Sequence, residues 1–230
     1  MLSLTEQPQT IVYLGPDYAD PALQRRVAAL RRIGCRVFVY AFQRCGKEQE
    51  PETSLGRVDD GALRERPKAL LHALRRLLTE RPKWGEAPVF YARNTDMLFL
   101  AVLLGKRIRV PSPKSRLIYE LLDLHPLQTS VSWQGGTTRR LEKQLLKRVD
   151  GVVVSSPSYL HHHQQQVQGY QGPALVLENK LETDAGSWPA DAPHQRKWRE
   201  GTPLRSVYAG KLRCAESLRA LEAVAAANPS

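Results

Sequence analysis

The chain has 230 residues, 42% of them hydrophobic, enough for a packed core and too many for a disordered chain. Its three cysteines, Cys35, Cys45 and Cys214, are odd in number and lack metal-ligand spacing, which fits free thiols in a reducing compartment. The formal net charge of +11 sits on one side of the sequence, with 26 Lys/Arg against 16 Asp/Glu in residues 1–150 and 8 against 7 thereafter. Such a field attracts phosphates, nucleic acid or an anionic membrane, although basic residues also simply solvate helix faces.

The first residues carry no basic segment followed by an apolar core, so no signal peptide is expected. The longest apolar run, residues 97–104, is far too short to span a bilayer. These features predict a cytoplasmic protein.

Residues 10–15 are a short apolar run closed by Gly15 and Pro16, the pattern of a buried strand. Asp20-Pro21 then starts a helix: Asp caps free amides, and Pro at the first helical position has no amide to lose. Leu23, Val27 and Leu30 share one face, and Gly34 offers a left-handed stop. Residues 35–41 read as a second strand, which completes a βαβ unit with a right-handed crossover.

Residues 43–65 are polar and read as a loop. A helix is predicted over 67–79, with Leu70, Leu71, Leu74, Leu77 and Leu78 inward and Lys68, Arg75 and Arg76 outward. Residues 88–92 form a third strand. Asn94 caps the next helix, Asp96 favours its dipole, and residues 97–104 are apolar all round and therefore buried.

A fourth strand covers 116–120. The helix predicted over 138–149 turns Leu141, Leu145, Leu146 and Val149 inward and five basic residues outward. Residues 151–155 form a fifth strand, 157–167 a helix and 174–177 a sixth strand. The tract His161–His163 reads as exposed helix surface, because adjacent helical side chains point about 100° apart and cannot chelate one ion together.

Short apolar strands separated by helices predict an α/β fold, a Rossmann-like doubly wound parallel sheet. It occupies residues 1–181. A polar linker follows over 182–203, and residues 204–230 read as one strand–turn–helix unit opening a second domain.

Ligands of such sheets bind beyond the C-terminal strand ends. Gly15, Asn94, the 121–126 loop, Ser155-Ser156 and residues 178–180 lie there. No GxGxxG, Walker loop or GxSxG elbow is present, which argues against a dinucleotide enzyme, a P-loop NTPase and an α/β-hydrolase.

Asp123 and His125 stand two apart in one loop, where a histidine can serve as a base or hydrogen-bond partner for a hydroxyl, or simply belong to a turn. Gln134-Gly135-Gly136-Thr137 reads either as an anion-binding turn at a helix N-terminus or as a loop. Ser155-Ser156 before Pro157 is most simply a helix cap. Lys211 and Arg213 follow Gly210 in the last unit, as a diphosphate site or as exposed cations in a βα loop.

In order and spacing, the segments at 20–39, Tyr91-Ala-Arg-Asn-Thr-Asp, Tyr119-Glu-Leu-Leu-Asp-Leu-His-Pro, 141–157, Leu177-Glu-Asn-Lys and Ala209-Gly-Lys-Leu-Arg-Cys resemble family-4-like glycosyltransferases of the GT-B fold. The resemblance implies two Rossmann-like domains facing each other across a cleft, the first binding the acceptor and the second a nucleotide-sugar. It puts Asp123 and His125, the catalytic candidates, on the acceptor side of the cleft; Gly15, Asn94, Gly135 and Gly136 are the candidate acceptor-binding residues. Lys211 and Arg213 would face the donor diphosphate, where cations stabilise the leaving group.

It further implies retention at the anomeric carbon, with no cofactor and no metal held by a DxD motif. Leu122 stands where the family carries His or Arg. The family's late pair of donor-site glutamates has no place in the sequence, so an incomplete donor site is expected.

The expected function is sugar transfer from a nucleotide-sugar to a glycan or lipid-linked acceptor, in the synthesis of a cell-surface polysaccharide. The alternative is a non-catalytic acceptor-binding or membrane-docking subunit, peripheral at the inner face of the plasma membrane and paired with a separate donor-binding chain. The basic helices at 67–79 and 138–149 motivate it. Nucleic acid is not an expected partner, since no stacking platform or recognition motif accompanies the charge.

Overall fold

The computed structural model describes residues 8–43, 54–58, 65–108 and 115–178, together with 219, 222, 223, 226 and 227. The chain divides into two units, Met1–Glu182 and Thr183–Ser230. The first holds a seven-stranded sheet in the order β3-β2-β1-β4-β5-β6-β7, with every neighbouring pair parallel. The strands are β1 (Thr10–Gly15), β2 (Arg36–Gln43), β3 (Ser54–Arg57), β4 (Val89–Arg93), β5 (Arg116–Leu121), β6 (Gly151–Val154) and β7 (Ala174–Val176). The helices are α1 (Pro21–Arg32), α2 (Arg66–Glu80), α3 (Asn94–Ile108), α4 (Pro126–Thr129) and α5 (Trp133–Leu146). A 3₁₀ turn, Arg81–Trp84, follows α2, and a π-helix, Tyr159–Val167, follows β6.

The chain winds outward from β1 to β3, then returns to build β4 to β7 on the other side of β1. This is the Rossmann-like doubly wound order, and its direction reverses between β1 and β4. Strand periodicity divides the core accordingly. Ile11, Tyr13, Val37, Val39 and Tyr91 pack with Leu23 and Val27 of α1 on one face. Val12, Leu14, Phe90, Ala92, Tyr119 and Leu121 face α2, α3 and α5 on the other.

Local chemistry sets the ends as the sequence predicts for α1: Asp20 Oδ1 accepts from the Ala22 amide at 2.8 Å, and Gly34 closes with φ of +86°. The apolar run of α3 is buried, with Leu98, Leu100 and Leu104 fully enclosed.

Several expectations are corrected. The 43–65 loop contains β3, a four-residue edge strand whose single buried side chain, Leu55, gives no readable apolar run. Leu71 and Leu141 are 49% and 42% exposed rather than inward. The inward stripe of α2 is centred on Ala73, Leu74 and Leu77, and that of α5 on Gly135, Glu142, Leu145 and Leu146. Helix α5 begins at Trp133, five residues before the predicted start. Of the histidine tract, His161 and His162 are exposed but His163 is buried.

Candidate functional site

The strand order reverses between β1 and β4, and ligands of such sheets bind beyond the C-terminal strand ends at that point. Gly15 ends β1, Arg93 ends β4, and Asn94 makes the turn into α3. A Cβ on Gly15 would collide with Leu23 Cδ1, so glycine here lets α1 lie close against the sheet. Asn94 has φ of +70°, the one non-glycine in the left-handed region among the described residues, rather than the extended geometry of an ordinary helix cap. Asn tolerates this conformation better than most residues, and the tight turn sets it at the strand end. Asp96 in the first turn of α3 pairs with Arg66 at 3.0 Å.

A buried charge cluster lies on the α1 face of the sheet. Glu120, 1% exposed, accepts from Tyr13 Oη at 2.7 Å, Arg26 Nε at 2.9 Å and Tyr91 Oη at 3.2 Å. The two tyrosine rings stack with centroids 4.9 Å apart. Arg93 approaches the same carboxylate at 3.9 Å and bonds Asp20 at 3.1 Å, while its Nη1 is buried with no hydrogen-bond partner. Burial and the Glu120 charge push both tyrosine hydroxyls well above their ordinary range, so they remain donors. For Arg26 burial acts to lower the pKa, but Glu120 and the tyrosines outweigh it and the net shift is upward.

Asp123 and His125 lie exposed on the loop between β5 and α4. His125 is the cap of α4: its Nδ1 accepts from the Leu127 amide at 3.2 Å, and its own amide donates to Gln128 Oε1 at 2.7 Å. With Nδ1 accepting, a neutral ring carries its proton on Nε2. The ring therefore offers a donor, and acting as a base through Nε2 requires that the cap break or the tautomer change.

Gly135 and Gly136 fall inside the first turn of α5 instead of preceding a helix. Their amides are already engaged, Gly135 with Ser132 Oγ at 3.2 Å and Gly136 with Ser132 O at 2.9 Å. A Cβ on Gly135 would come within 2.8 Å of Leu127 O and collide with Ser130 O, so close packing of α5 on α4 accounts for this glycine. Ser156 accepts from the Ser158 amide at 3.2 Å as a local cap, and Ser155 Oγ donates to Leu122 O. Lys211 and Arg213 lie outside the described residues, as do Asn179 and Lys180.

A second buried carboxylate braces the His125 loop from below. Glu142, fully buried, accepts from Gln168 at 2.7 Å, Gln128 at 2.9 Å, Tyr119 at 3.0 Å and His163 Nε2 at 3.0 Å. Gln128 thus links the amide of His125 to the core through one side chain. Burial acts to raise the Glu142 pKa, but the His163 ring and charge, then Gln128 and Tyr119, outweigh it and hold the carboxyl below its ordinary range.

Sequence reading missed this network, although a signal existed: position 142 falls on the same helical stripe as Leu145, Leu146 and Val149. Among the described residues no group of three or more His, Cys, Asp or Glu is arranged to hold a metal ion, and no helix is long and apolar enough to cross a membrane.

No family model matches the chain. Two solved structures share a coarse likeness, each at a TM-score of 0.35. MurG of Acinetobacter baumannii is 12% identical, with 65% of this chain and 42% of that one covered. A short-chain dehydrogenase/reductase-family oxidoreductase from Brucella ovis is 10% identical, with 74% and 99% covered. The fold assignment rests on the strand order itself.

In sequence, the chain is 30% identical over 217 residues to the succinoglycan biosynthesis protein ExoL of Rhizobium meliloti (strain 1021), covering 92% of this chain and 53% of that protein. The chain spans about half the length of that curated relative. It is a Rossmann-like domain chain similar to a protein of succinoglycan biosynthesis.

Proposed function

We propose that the chain supplies the acceptor-side part of a GT-B glycosyltransferase that builds a cell-surface polysaccharide. The similarity to ExoL across nearly the whole chain carries this reading. The parallel sheet, whose strand order reverses between β1 and β4, is compatible with it, because sheets of this kind bind ligands at that switch point.

Asn94 and His125 are the proposed acceptor contacts. Asn94 offers an amide from a fixed turn, and His125 offers an Nε2–H toward a sugar hydroxyl from a ring held by its cap. Asp123, exposed on the same loop, is the proposed proton acceptor. Lys211 and Arg213 are proposed to meet the donor diphosphate of a nucleotide-sugar. Gly15, Gly135 and Gly136 serve this site indirectly, through the packing and caps of α1 and α5.

Equilibrium binding of a panel of oligosaccharides of varied sugar composition to the purified chain tests the proposal. Saccharide binding that Asn94→Ala and His125→Ala each weaken about tenfold supports it, one lost hydrogen bond apiece. Absence of saccharide binding, or binding indifferent to both substitutions, overturns it.

A further inference from the structure

Val131 and Trp133 project into solvent at the tip between α4 and α5, 101% and 78% exposed. The backbone beneath them is held on several sides. Ser130 Oγ donates to Ser132 Oγ at 2.8 Å and accepts from the Ser132 amide at 3.1 Å. Arg139 Nη1 bonds the carbonyls of Gln128 and Ser130, and Gly135 packs against the carbonyls of Leu127 and Ser130. Two apolar side chains are thus presented on a braced loop, where exposure has a cost and ordering has already been met.

The helix behind the tip is cationic on the same side. Steps of seven residues carry Trp133 to Arg140 and Lys147, with Lys143 beside them, and all are exposed. No exposed carboxylate opposes them on α5, because its single acidic residue, Glu142, is enclosed in the core. An apolar tip containing tryptophan, followed by a row of cations, matches the interface of an anionic bilayer: the aromatic ring and Val131 enter the headgroup boundary, and the cations meet lipid phosphates.

We infer that this α5 tip docks the protein on an anionic membrane surface. In this position it lies on the loop-bearing edge of the sheet, the edge that carries His125 and Asn94. The inference stands apart from the transfer reaction, since it is tested with lipid alone.

Flotation of the 230-residue chain with phosphatidylcholine vesicles, with and without phosphatidylglycerol, provides the test. The chain should associate with the anionic vesicles at low salt, release at high salt, and ignore the neutral ones. Arg140→Gln with Lys147→Gln should weaken association about 25-fold, roughly fivefold per charge. Val131→Ser with Trp133→Ser should weaken it about tenfold at unchanged charge. Brominated acyl chains should quench tryptophan emission in the parent chain and quench it less in Trp133→Phe. All substituted positions are exposed, and unchanged thermal unfolding confirms that each variant folds.

No association with anionic vesicles at low salt, or association indifferent to both double substitutions, overturns the inference. So does self-association of the chain that Val131→Ser with Trp133→Ser abolishes in the absence of lipid.

Discussion

Glu142 Oε2 and His163 Nε2 meet at 3.0 Å inside the core, 21 residues apart in sequence and on different helices. Their pairing ties α5 to the π-helix, and through Gln128 it reaches the backbone of His125. A buried carboxylate so placed depends on all its donors, and removing its charge leaves them facing an uncompensated site.

The pH dependence follows from the lowered carboxyl pKa. A group whose folded pKa lies below its unfolded value contributes fully above the unfolded value, 4.5, and loses that contribution as pH falls through the folded one. Glu142→Gln should therefore cost about 3 kcal/mol near neutral pH. The deficit should narrow as the medium is acidified below 4.5, since the parent then loses what the variant already lacks. Urea unfolding at a series of pH values measures both.

Two adjacent glycines should respond oppositely to the same change. Gly135→Ala drives a methyl into the carbonyls of Leu127 and Ser130 and should destabilise the protein by about 2 kcal/mol. Gly136→Ala meets nothing within 4 Å and, inside a helix, should stabilise by about 0.5–1 kcal/mol. Thermal unfolding of the pair separates packing from backbone freedom.

Asn94 combines a backbone and a side-chain role that substitution can split. Asn94→Gly keeps the φ of +70° without strain, whereas Asn94→Ala should cost about 1 kcal/mol of stability. Both remove the amide side chain. Saccharide affinity should fall in both variants while stability falls in one, as calorimetry together with thermal unfolding will show.

His125 allows a similar separation. Asn is itself a good helix cap, so His125→Asn should leave stability within about 0.5 kcal/mol while removing the Nε2–H. His125→Ala should lose about 1 kcal/mol as well. Equal saccharide affinity in parent and His125→Asn would assign the ring to capping alone.

Much of this architecture was legible from residue order. Asp20-Pro21 and Gly34 announce α1 because caps and stops are local chemistry, and the apolar runs at β1, β4 and β6 announce buried parallel strands. Strand β3 was not legible, since Leu55 is its single buried side chain. Leu71 and Leu141 misled because each lies at the flank of a stripe whose centre is set by the neighbouring helix rather than by hydrophobicity.

The site divides along the same line. The strand ends could be named as the candidate site from topology, but Glu120 and Glu142 as buried acceptors could not, because their partners come from Tyr13, Arg26, Tyr91, Gln128, His163 and Gln168, distant in sequence. Nor does a His in a loop reveal which ring nitrogen a helix cap will occupy.

Heteronuclear NMR titration of the ¹⁵N-labelled chain with the same oligosaccharide panel decides whether the strand ends around β4 and β5 bind a sugar acceptor. Saturable shifts are expected at Asn94 and across Asp123 to Gln128, with β3 and the N-terminal sheet edge unmoved. Saturable shifts confined to any other surface, or none with any saccharide, would contradict an acceptor site there.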